Sequence, residues 1–93
     1  MEAAVKTGIE LIAEERASHG AKGWTAAHDD QHTELDMPPV AIHLLLDHCD
    51  PDHDWGLVEK TKREGGRIRQ LVVAGALIAA EIDRLQRQKV RDS

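Results

Sequence analysis

The sequence predicts a small all-α protein, a bundle of three helices or four, with a His/Asp-rich loop between the first two. Apolar residues recur at helical spacing near both ends of the chain. The aromatic residues are two Trp, with no Phe or Tyr, so Leu, Ile, Val and Ala must fill the core, and aliphatic interiors suit close helix-on-helix packing. Gly and Pro punctuate the chain where helices would stop and start, at Gly20 and Gly23, then at Pro38 and Pro39.

Taken in order, Val5, Ile9, Ile12 and Ala13 fall on one helical face, with Glu10, Glu14, Glu15 and Arg16 largely on others, which predicts an amphipathic helix over 3–18 stopped by Gly20 and Gly23. From Gly20 to Met37 the chain is polar and rich in His and Asp, and Trp24 is its one large apolar anchor. Pro38 and Pro39 suit a first helical turn, and Val40, Ile42, Leu44, Leu45 and Leu46 follow, giving a short, mostly buried helix over about 38–48. Asp47 to Asp54 reads as a turn or loop, which Trp55, Leu57 and Val58 would pin to the core. The clearest element is a helix over 66–89, where Ile68, Leu71, Val72, Gly75, Ile78, Ala79, Ile82 and Leu85 keep the i, i+3, i+4, i+7 rule. Gly75, Ala76, Ala79 and Ala80 leave one side of it slim enough for another helix, internal or from a second subunit, to approach closely.

At 93 residues the chain reads as a single domain, 1–93, burying roughly 60–65% of its extended surface, so a partner copy is expected. Acidic residues outnumber basic ones 17 to 12, for a net charge of −5, which argues against binding nucleic-acid phosphates. Cys49 is the only cysteine and cannot form an internal disulfide, and neither a signal-like start nor an apolar run near ~18 residues occurs. The expectation is a cytoplasmic protein without a membrane partner.

Several constellations could carry chemistry. His28-Asp29-Asp30-Gln31-His32, if helical, would project two imidazoles from one face a turn apart, a spacing that suits a divalent metal with Asp29 or Asp30 adding a hard oxygen ligand. The ordinary alternative is an Asp that caps a helical turn beside His side chains bonded to backbone, and the spacing alone favours it. The acidic loop 47–54 lacks the Gly and terminal Glu of a calcium loop and reads as a solvated turn. Glu81, Asp83 and Arg84, with Glu14, Glu15 and Arg16, either face one another across helices as a magnesium site or form solvated ion pairs such as Glu81 with Arg84. Trp24 either plugs the gap between helices or stacks on a planar ligand. Arg67 and Arg69, in the basic run with Lys60, Lys62 and Arg63, either clamp a phosphate or lie on a helix surface. Nucleophilic catalysis has little support, since His48 and Cys49 are adjacent and neither Gly-x-Ser-x-Gly nor a Gly-rich phosphate loop occurs.

Glu15-Arg16, then Gly23-Trp24-Thr25-x-x-His28-Asp29-Asp30-x-His32, then the run from Leu71 to Leu85 containing Ala-Leu-Ile-x-Ala-Glu-Ile-x-Arg-Leu, resemble a family of small phage and prophage proteins over roughly residues 14–87. The segment before the last helix departs from the Trp-rich pattern of that family, keeping only Trp55. More distantly, Arg followed by Gly-Trp is similar to the ryanodine-receptor repeat domain, a helical module associated with nucleotide-derived ligands. Neither resemblance implies a catalytic residue. Together they imply a non-catalytic module that binds a nucleotide-derived molecule, such as a host defence signal that a phage would sequester, and the shortness of the chain points to a homo-oligomer whose interface closes the pocket. Trp24 would stack on the base, Arg16, Arg67 or Arg84 would meet phosphates, and Thr25, His28, Asp29, Asp30, His32 and Glu81 would complete the pocket. Two alternatives stand beside it. One is an all-helical, metal-dependent nucleotide pyrophosphohydrolase with His28, Asp29 and His32 on the ion, against which the paired acidic helices of MazG-type enzymes are not matched. The other is a structural or protein-interaction bundle.

Overall fold

The computed structural model describes residues 5–21, 37–48 and 55–92, which form three helices and no strand: α1 (Gly8–Ala21), α2 (Met37–Leu46) and α3 (Leu57–Asp92). The all-α prediction holds, and its boundaries shift for identifiable reasons. α1 starts at Gly8 rather than residue 3 because Thr7 and Glu10 form a reciprocal capping box. The Thr7 N–H donates to Glu10 Oε1 and the Glu10 N–H to Thr7 Oγ1, each at 3.2 Å. Gly20 does not end the helix, which continues to Ala21.

Pro38 and Pro39 occupy the first turn of α2, as expected. The helix closes in a Schellman motif, with the His48 N–H reaching His43 O at 2.9 Å and the Asp47 N–H reaching Leu44 O at 3.3 Å. Asp47 takes the left-handed conformation, φ 52°, that glycine usually supplies there. The helix is less buried than its composition predicts: Met37, Val40, Ala41 and Leu44 face the core, while Ile42, Leu45 and Leu46 are exposed.

α3 begins nine residues before the expected start at 66, since Leu57 and Val58 open it and the charged run 59–64 continues it. It bends at Gly66, whose φ of 68° and ψ of −149° lie in a region open essentially to glycine alone. Val58 is buried as expected, Leu57 packs against the core, and Trp55 stays 47% exposed.

The phase of α3 is the larger correction. Its buried residues beyond the bend are Gln70, Val73, Ala74, Ala76, Leu77, Ala80, Glu81 and Arg84, whereas Ile68, Leu71, Ile78, Ile82 and Leu85 of the periodic stripe are exposed. The core joins Met37, Val40 and Leu44 of α2 to Val58, Val73 and Leu77 of α3, with the small Ala41, Ala74 and Ala80 among them, and such small residues let packed helices come close. The slim side of α3 is thus used internally. A methyl group placed on Gly75 would fall 2.5 Å from Ile12 Cδ1, so α1 also needs the missing side chain there. No helix among the described residues is long and apolar enough to cross a membrane.

Candidate functional site

The charged side chains of α1 meet α3 along a partly buried seam. Glu15, 9% exposed, accepts a hydrogen bond from Arg69 Nη1 at 2.6 Å, and Arg69 also lies 3.6 Å from Glu64. The hydrogen bond to Glu15 raises the Arg69 pKa above its ordinary value, aided by both carboxylate charges and opposed by burial, so this guanidinium stays a cation. His19, one turn beyond Glu15 and 1% exposed, places Nε2 3.5 Å from Glu15 Oε2. Two hollows flank the pair, a shallow cleft of about 340 Å³ lined by Leu11, Glu14, Ile68 and Val72, and a smaller one of about 90 Å³ toward Lys60, Thr61 and Val73.

Further along the same face, Arg16 donates to Asp83 Oδ2 at 3.3 Å. Arg84 holds Glu81 bidentately, Nε at 2.6 Å and Nη2 at 2.9 Å, and reaches Gln88 Oε1 at 3.2 Å. The expected Glu81–Arg84 pair is therefore present, but buried rather than solvated. Of the two arrangements open to these residues, ion pairs form: Glu15, Asp83 and Glu81 each face a guanidinium instead of another carboxylate. No group of three or more His, Cys, Asp or Glu side chains suited to a metal occurs among the described residues.

Arg67, for which the sequence leaves a phosphate clamp and a helix-surface role open, is engaged within the chain. Its guanidinium donates to Leu44 O at 2.9 Å, which also accepts from the Asp47 N–H, and to Leu45 O, so it caps the carbonyl end of α2. Beside it, buried Gln70 donates to Asp47 Oδ1 at 2.7 Å and to Val58 O at 3.4 Å, and Lys62 lies 3.5 Å from Asp47. Arg67 and Arg84 are 17 positions apart on α3, about 25 Å by helical rise, so they do not share one phosphate.

The structure brings Arg16 to the Glu81–Arg84 stretch through Asp83 and leaves Arg67 at the bend. Trp24, Thr25, His28, Asp29, Asp30 and His32 lie outside the described residues, as do 49–54 of the acidic loop. The sequence reading missed His19 and Gln70. The i, i+4 spacing of Glu15 and His19 was a usable signal for the first, and Gln70 had none. Comparison with family models, curated proteins and solved structures gives no match to this chain.

Proposed function

We propose that this chain is a non-catalytic binding module rather than a metal-dependent hydrolase. The observation that carries this reading is the matching of each helix-borne carboxylate of the seam to a guanidinium, Glu15 to Arg69, Asp83 to Arg16 and Glu81 to Arg84. A divalent ion needs carboxylate lone pairs that face one another and are not shadowed by a fixed positive charge, and here each pair is already neutralised. As ligand we take a nucleotide-derived small molecule held by the Trp24, Thr25, His28, Asp29, Asp30 and His32 cluster. In a phage setting, inside the host cytoplasm, this amounts to sequestering a host defence signal. Because Arg16, Arg67 and Arg84 have partners within the chain, stacking on Trp24 and the donors of the cluster carry more of the recognition than phosphate clamping.

The test is a thermal-shift screen with ADP-ribose, cyclic mono- and dinucleotides and nucleoside triphosphates, each with and without magnesium, manganese or zinc. The expected result is a higher melting temperature with one nucleotide class, abolished in Trp24→Ala and independent of metal. Metal-dependent turnover of a triphosphate that disappears in Asp29→Ala would instead establish the hydrolase. A second reading, a protein-interaction bundle, is favoured by the exposed aliphatic stripe of α3 and gains ground if the nucleotide panel leaves the melting temperature unmoved.

A further inference from the structure

The two arms of α3 meet at Gly65 and Gly66 with no loop between them. Gly66 is the one residue of α3 outside helical backbone, and helix runs up to it from both sides. The corner it makes is sharp. Along a straight helix residues 58 and 70 would stand about 18 Å apart. Here Gln70 Nε2 lies 3.4 Å from Val58 O, and Val58 shares the core with Val73. Gly65 is needed as well, because a Cβ there would fall 2.8 Å from Arg69 Cβ, whereas residues four apart on a regular helix keep their Cβ atoms about 5–6 Å apart. Both constraints belong to the folded-back form, and a straight helix has neither. The flanking runs, Glu59 to Glu64 and Arg67 to Leu71, consist mostly of good helix formers.

We infer that two copies of this chain exchange the arm beyond the corner. Gly65 and Gly66 become helical, residues 57–92 run as one rod, and each long arm packs into the core of the other copy. A strained hinge of minimal length is the arrangement that invites such an exchange. The occupant is a second copy because the contacts to be remade are this chain's own. Val40 and Leu44 in the core with Val73 and Leu77, Glu15 at Arg69, Arg16 at Asp83 and Asp47 at Gln70 each join a residue before the corner to one beyond it. All of them can re-form between copies with the partners unchanged. Arg67 stands too near the corner to do so, and its hold on the α2 carbonyls is what opening gives up. Against exchange, two glycines inside the rod weaken it, and pairing costs association entropy. The balance between closed monomer and exchanged dimer therefore depends on concentration. The exchange stands apart from the small-molecule reading, since it uses none of the Trp24–His32 cluster.

Sedimentation equilibrium on the whole chain, refolded from denaturant at several hundred micromolar, tests it. The wild type should then hold a population at twice its 10.3 kDa, and Gly65→Ala combined with Gly66→Ala should shift nearly all of the chain to that mass with helical circular dichroism retained. A wild type that refolds wholly to monomer overturns the inference, as does an alanine variant no more dimeric than the wild type. Charge reversal separates exchange from ordinary surface pairing. Glu15→Arg and Arg69→Glu each set like charges against each other within one chain. In an exchanged mixed dimer one core restores Glu15 to Arg69 and the other pairs the new arginine with the new glutamate. Co-refolded variants should therefore form mixed dimers beyond random assortment, with a higher melting temperature than either variant alone. Random assortment, or no gain in melting temperature, rules out exchange even where dimers form. This second experiment keeps both glycines, so it decides the matter if the alanine variant fails to fold.

Discussion

At Asp47 a left-handed backbone and a carboxylate that joins two helices coincide. A non-glycine residue with φ 52° is tolerated because the Schellman hydrogen bonds fix the turn and the side chain is itself engaged. The Gln70 amide holds its carboxyl below the ordinary value of 3.8, with the charges of Lys62 and Arg67 adding to the effect and desolvation opposing it. A carboxyl whose folded pKa is depressed contributes stability that is complete above 3.8 and fades as the pH falls through its folded value. Asp47→Asn should therefore flatten the part of the acid-unfolding curve that lies below 3.8 while leaving the neutral-pH helix content in place, as read by circular dichroism across pH. An unchanged acid limb would show that the titrating groups lie elsewhere. Arg69 illustrates the opposite situation: its charge is secured by Glu15 and is not in play at any ordinary pH.

At the scale of the element, the helices depend on a few local devices. Thr7→Ala removes half of the capping box of α1 and should cost about 1 kcal/mol in denaturant unfolding, whereas Thr7→Ser should cost much less. Gly66→Ala forces a Cβ into a conformation that only glycine adopts freely, so a loss of about 1–3 kcal/mol is expected, with α3 straightening. Straightening would carry Arg67 away from the α2 carbonyls, which hydrogen exchange at the end of α2 would detect. These devices also explain what was legible beforehand. Pro38 and Pro39 announce the start of α2, and the period of the last helix announces its existence. The Thr7-x-x-Glu10 signature was equally readable, but the helical spacing of Val5 with Ile9 pulled the predicted start forward. The buried side of α3 was not readable, because hydrophobic periodicity selects the richest stripe, while the native interior takes a side of α3 that mixes small alanines with Val73 and Leu77. Glu15 and Arg69 are 54 positions apart, and Arg67 looks like a phosphate ligand until the carbonyls it caps are known.

At the scale of the whole molecule, most of the architecture is organised around one long helix that two shorter ones approach from different sides. The charges concentrate in the α1 seam and at the bend, where they are matched in pairs. The candidate ligand cluster follows α1 directly in the chain, so the seam that anchors α1 through Glu15, Arg16 and His19 also fixes where that segment departs. The two apolar rows of α3 bear on how the chain reaches this arrangement. Rotating α3 by roughly a third of a turn about its own axis would offer α2 the isoleucine row instead of the alanine-containing one, a competing minimum of the kind that slows folding. The bend at Gly66 and the link from Arg67 to Leu44 and Leu45 act against it, because they pin the angle at which α3 emerges. Once that link closes, the choice between rows is made geometrically, and a search over rotations becomes a single closure between the end of α2 and the start of the long arm.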